Sequence, residues 1–211
     1  MLFADRQDAG RQLARALAAY KGQRPLILAI PRGAVPMGQA LADELGGELD
    51  VALVRKLASP YSSEFALGAI DESGWAYIAD HAAAAGGTPE YLEREKQRQM
   101  ATLKERRSQY TPLHPPIDPV GRIAILVDDG LATGSTMIAA LHATRAKNPA
   151  RLVCAVPVSP PETLEKIRPL CDELVCLFAP PNFQAVGQFY QDFNQVSDEE
   201  VVAILRRQRP S

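Results

Sequence analysis

The chain has 211 residues, of which 46% are hydrophobic and 23% charged, an ordinary soluble composition that excludes disordered and fibrous classes. Its 23 Lys and Arg against 25 Asp and Glu leave a net charge of −2, which argues against a dedicated nucleic-acid binder. No apolar run approaches the ~20 residues of a membrane span, and the opening MLFADRQDAG has no signal-peptide core, so the expectation is a cytoplasmic protein that meets neither nucleic acid nor membrane.

In chain order, Asp8 is expected to cap a helix from about Ala9 to Tyr20, with Leu13, Leu17 and Tyr20 on one face. The apolar run Pro25–Ile30 is too short for a helix and reads as a buried strand, broken at Pro31, Arg32 and Gly33. Helical spacing resumes through Met37, Leu41 and Leu45 until Gly46 and Gly47 stop it. A second strand is expected over Leu49–Val54, followed by a polar loop from Arg55 to Glu64. Phe65–Ile70 and Trp75–Ile78 flank Asp71-Glu-Ser-Gly74, a hairpin signal.

Thr88 or Pro89 opens a long charged helix through Arg107, and Pro112, Pro115, Pro116 and Pro119 then form a linker. Ile123–Val127 is continuous and apolar, as a parallel strand covered on both faces should be. A helix follows from Ser135 to about Lys147, a fourth strand over Leu152–Val158, and a helix start with Ser159 as its cap. A fifth strand covers Glu173–Phe178, and Ser197 with Glu200 forms a capping box for the last helix. This alternation predicts a three-layer α/β fold, a mainly parallel central sheet flanked by helices, in a single domain over 1–211. Ligands of such sheets sit at the carboxyl ends of the strands, which singles out the loops after Ile30, Val54 and Val127.

The last of these loops carries the chemistry. Asp128 and Asp129 directly follow a buried strand, where two carboxylates are costly unless they meet a ligand or donors. Gly130 and then Ala132, Thr133, Gly134, Ser135 and Thr136 make a small, hydroxyl-rich turn into a helix N-terminus, which suits a phosphate. Carboxylates beside a phosphate cradle fit the hydroxyls of a sugar carrying its phosphate on the 5′ carbon. On local grounds alone, a strand-turn-helix with two solvated aspartates remains the alternative.

The segment Ile123–Thr136 resembles the signature of the type I phosphoribosyltransferases, the pentosyltransferases that use 5-phosphoribosyl 1-pyrophosphate (PRPP). Their loop is typically Ala-Thr-Gly-Gly-Thr, and here it is Ala132-Thr-Gly-Ser-Thr136. The resemblance implies a Rossmann-like fold with a small C-terminal hood near 179–196. It implies transfer of the phosphoribosyl group to a nitrogenous base, purine-like, in nucleotide salvage, with Mg²⁺ bound mainly through PRPP. Asp128 and Asp129 would hold the ribose hydroxyls, and residues 132–136 the 5′-phosphate. Arg32 and Gly33 would approach the pyrophosphate, at a position where the family often has an unusual peptide geometry. Arg55 and Lys56 would add charge there, with Lys56 serving turnover and Glu64 a candidate for proton transfer; a plain turn at Gly33 and a structural pairing of Glu64 stay open.

In the hood, Phe183 would stack on the base and Asp192 contact a base amine or metal-bound water. The alternative within the same fold is a PRPP-binding regulatory protein without turnover. The charged helix 89–110 mixes acids and bases, the mark of a solvated helix, and is longer than the family core needs, open to serving as a dimer contact or a lid. His81, His114 and His142 show no ligand spacing, and Cys154, Cys171 and Cys176 read as reduced core thiols.

Overall fold

The computed structural model describes residues 2–112 and 116–207, apart from the side chain of Glu64. His114 and Pro115 of the linker therefore lie outside the described residues. The central sheet is built from β1 (Leu26–Ala29), β2 (Glu48–Val51), β6 (Ile123–Val127), β7 (Arg151–Val158) and β8 (Glu173–Phe178), all parallel, in the order β2-β1-β6-β7-β8. Chain order reverses between β1 and β6, so a crevice opens between the loops that leave these two strands. The Ile30 N–H donates to the Val127 carbonyl at 3.0 Å and ties the two loops together at their roots.

Helices cover both faces, as an all-parallel sheet requires. On one side lie α1 (Arg6–Ala16), α2 (Ala34–Leu45) and α6 (Asp198–Arg207), sharing a core with Leu13, Met37, Leu41 and Val201. On the other lie α4 (Ser135–Arg145) and α5 (Pro161–Ile167), whose Met137, Leu141 and Leu164 pack on Leu126 and Val156. The expected cap positions shift by a residue or a turn at two places. Asp5, not Asp8, caps α1 and accepts the Asp8 N–H at 2.7 Å. Pro160 stands at the cap of α5, and the Ser159 hydroxyl turns to the Pro160 carbonyl instead. Ser197 does cap α6, accepting the Glu200 N–H at 3.1 Å while Glu200 reaches back to the Ser197 N–H.

The segment expected as a polar loop from Arg55 to Glu64 is instead a β-hairpin. Strands β3 (Val54–Ser59) and β4 (Ser62–Asp71) pair antiparallel, and β5 (Ala76–Ile78) adds the expected second hairpin, forming a separate three-stranded sheet. Asp71 makes that second turn by accepting from Ser73 and Trp75. The helix α3 (Pro89–Tyr110), capped by Thr88, packs across one face of β3, where Leu57 and Leu103 belong to the main core. It holds the first hairpin by its tip, where the Tyr91 hydroxyl donates to the Ala58 carbonyl at 2.7 Å, and the turn before the helix adds a second tie as the Ser59 hydroxyl donates to the Ala85 carbonyl at 2.9 Å. His142 of α4 stacks between Trp75 and Tyr77 and fastens the opposite face of this sheet.

Candidate active site at the sheet's switch point

Asp128 and Asp129 stand at the carboxyl end of β6, inside the crevice. Burial and the neighbouring Asp129 charge push the Asp128 carboxyl well above the usual carboxylate range. Burial also raises Asp129, against the pull of Arg6, whose Nε donates to Asp129 Oδ2 at 2.9 Å. Arg6 spans the site: its Nη1 donates to the Asn194 carbonyl at 2.6 Å, and its guanidinium lies 4.0 Å from the centroid of the Phe193 ring. Tyr190, whose ring packs on Phe193 at 4.9 Å, donates to the Asp129 carbonyl at 2.6 Å.

Gly33 of the neighbouring loop lies against the same carboxylate. A Cβ at this position would collide with Asp129 Oδ2, so glycine is what lets the two loops touch. The Pro31–Arg32 peptide bond is cis. Arg32 extends to the start of α6, its Nη1 3.5 Å from Asp198 Oδ2. Asp198 also accepts from the Tyr110 hydroxyl at 2.5 Å, and burial with this contact pushes the phenol up to about 12.

The turn at 130–136 is braced from two directions. Gly130 has φ +155°, and a Cβ there would lie 2.6 Å from a methyl of Val186 in the hood. On the far side Thr163 of α5 donates to the Ala132 carbonyl at 2.6 Å. The hydroxyls of Thr133 and Ser135 are 3.2 Å apart. Helix α4 begins at Ser135 after Gly134 without any side-chain cap, which leaves its first N–H groups and the positive end of the helix dipole for an incoming anion.

Strand geometry separates two cations expected side by side. Successive β3 side chains point to opposite faces. Arg55 therefore faces α3, donating to the Gln99 side-chain oxygen at 2.9 Å, whereas Lys56, paired in register with Ala69, is on the α4 side. Glu64 has its backbone in β4, and its side chain lies outside the described residues. Phe183 stacks on Phe189 at 5.7 Å within the hood, and exposed Asp192 accepts the Asn194 N–H at 3.1 Å. The hood includes the start of the chain: Phe3 pairs with Tyr190, and the N–H groups of Gln191 and Asp192 donate to Phe3 and Ala4 at 2.9 Å.

Arg6, Tyr190, Phe193, Thr163 and Val186 escape a sequence reading because nothing in their local patterns marks them. The sequence separation of Arg6 from Asp129 is 123 residues.

The phosphoribosyl transferase domain family matches residues 4–194. A Mycobacterium tuberculosis H37Rv protein named "Putative phosphoribosyl transferase Rv0571c" is 42% identical over 212 residues, covering 98% of this chain and 47% of that protein, and its counterpart in strain CDC 1551 matches equally. The chain thus spans about half the length of the curated relatives it matches. The crystal structure of TT1426 from Thermus thermophilus superposes with a TM-score of 0.87 at 44% identity, covering all of both chains. No helix among the described residues is long and apolar enough to cross a membrane.

Proposed function

The chain belongs to the phosphoribosyl transferase domain family, and from that premise we propose that it transfers the 5-phosphoribosyl group of PRPP to a purine-like nitrogenous base, releasing pyrophosphate. The observation that carries this reading is the paired carboxylate of Asp128 and Asp129 set directly before the uncapped start of α4. A sugar phosphate satisfies both halves at once: hydroxyls donate to the carboxylates, and the 5′-phosphate accepts from the helix N-terminus.

In this reading Gly33 and the adjacent backbone approach the pyrophosphate, with Arg32 and Arg55 as the cations on that side. Holding the ribose from both ends presents its anomeric carbon to a base beneath the hood, whose aromatic lining includes Phe183 and Phe193. Positive groups on the pyrophosphate side stabilise charge that grows as the glycosidic C–O bond breaks.

Mg²⁺ suits this site. The Asp128 carboxylate accepts the Asp129 N–H at 2.9 Å and retains lone pairs that a divalent ion can use. Among the described residues no cluster of three metal-ligating side chains stands there, so the ion is assigned mainly to PRPP oxygens and water. It would supply neutralisation of the pyrophosphate charge.

The test is thermal unfolding with and without Mg·PRPP. Ligand at a hundred times its Kd is expected to stabilise by about 2.7 kcal/mol, a shift of roughly 5–10 °C, and Asp128→Asn/Asp129→Asn should abolish the shift. A folded wild type that does not respond would end this reading. A panel of bases follows, read by pyrophosphate release. PRPP binding without turnover on any base would instead indicate a PRPP-binding regulatory protein of the same fold.

A further inference from the structure

Helix α3 buries polar groups where an apolar stripe would be cheaper. Glu95 is 4% exposed and Gln99 6%. Gln99 donates from its amide nitrogen to Glu95 Oε1 at 2.8 Å. That bond fixes which way the amide faces, and its oxygen is left pointing at Arg55 Nε, 2.9 Å away. Glu95 meanwhile pairs with Arg98 at 2.9 Å. Burying such a chain of groups costs free energy unless every member is satisfied, and replacing it with packed apolar residues is often neutral or stabilising.

The charge arrangement is the informative part. Arg55 and Arg98 both lie near the Glu95 carboxylate, and burial, to which the charges of Arg106 and Arg98 add, lowers the pKa of the Arg55 guanidinium. Among the described residues neither Arg55 nor Arg106 has an ion-pair partner. Arg55 is held by a neutral amide, although a carboxylate stands only one helical turn away. An amide orients a guanidinium and leaves its charge available to a ligand, whereas a carboxylate would neutralise it. Tyr110, at the end of the same helix, donates to Asp198, which Arg32 approaches at 3.5 Å, and so joins α3 to the Pro31–Gly33 loop.

We propose that Gln99, oriented by Glu95, is the positioning residue that presents Arg55 to the pyrophosphate group, and that α3 thereby forms one wall of the anion site. This rests on the PRPP reading above. The helix is then more than a solvated insertion, because its inner face aims a cation that β3 alone would leave free to rotate.

The experiment titrates Mg·pyrophosphate and, separately, ribose 5-phosphate into wild type and two variants. Glu95→Gln/Gln99→Glu keeps the number of charges in the cluster and moves the carboxylate one turn, onto Arg55. Gln99→Met removes the acceptor without changing charge. Both are expected to bind pyrophosphate about tenfold more weakly and ribose 5-phosphate as wild type does; a loss confined to one ligand is not what general destabilisation produces. Either variant suffices if the other does not fold. Wild-type pyrophosphate affinity in a folded variant overturns the proposal. A wild type that binds ribose 5-phosphate but no pyrophosphate overturns it while sparing the phosphate loop, and one that binds neither overturns the PRPP reading as well.

Discussion

Arg6 and Asp129 form an ion pair at 2.9 Å in which neither side chain is more than 16% exposed. Their contact joins the first turn of α1 to the carboxyl end of β6. Because Arg6 also touches Phe193 and the Asn194 carbonyl, one side chain links the predicted ribose-binding carboxylate to the hood.

Removing one member of such a pair leaves the other buried without compensation. Arg6→Ala is expected to cost about 3 kcal/mol, or roughly 6–12 °C in Tm. Arg6→Ala/Asp129→Asn should recover more than half of that loss. Thermal denaturation of the two single variants and the double closes the cycle; additive losses would mean the contact carries no coupling.

Asp128 makes stability depend on pH in the direction opposite to a salt-bridged carboxylate. Its folded pKa lies well above the unfolded one, so the native state binds more protons between the two values. Stability therefore falls as pH rises from the ordinary carboxylate range, about 4, through the folded value. Asp128→Asn removes this penalty. The variant is expected to melt higher than wild type at pH 7.5, with the gap closing toward pH 4, and a gap that widens in acid would contradict the assignment.

The contact between Gly130 and Val186 predicts a suppressor. Gly130→Ala places a methyl within about 2.6 Å of a Val186 methyl at a φ that suits glycine, a collision expected to cost roughly 2–3 kcal/mol. Gly130→Ala/Val186→Ala should recover the part due to collision and keep the part due to backbone strain. Melting temperatures of the single and double variants separate the two; no recovery would place the whole cost in the backbone.

The sheet was legible because its strands are continuous apolar runs: Ile123–Val127 and Glu173–Phe178 match their expected bounds. The carboxylate-and-turn segment was legible for a related reason, since two acids after a buried strand need a partner. The β3–β4 hairpin was hidden. Arg55, Lys56, Ser59, Ser62 and Ser63 look like loop residues, yet Arg55 and Ser59 reach α3 and the turn before it rather than water. The cap of α1 was misplaced because Asp5 and Asp8 are both good capping residues three positions apart, and only backbone geometry decides between them. Partners such as Thr163 with Ala132 and Gln99 with Arg55 are 31 and 44 residues apart, beyond the reach of any periodic pattern.

The seam between residues 2–4 and 189–192 has a consequence for the order of assembly. At about 5–20 residues per second, on the order of ten seconds or more separates synthesis of Phe3 from that of Tyr190. Throughout that interval the backbone groups of residues 2–4 that later join Phe189, Gln191 and Asp192 stay with water, and Phe3 has no Tyr190 ring against which to pack. The β1 and β6 loops can meet long before the last helix is made, but the roof above them cannot. A nascent chain thus holds the Asp128–Thr136 loop before the segment that closes over it has been made.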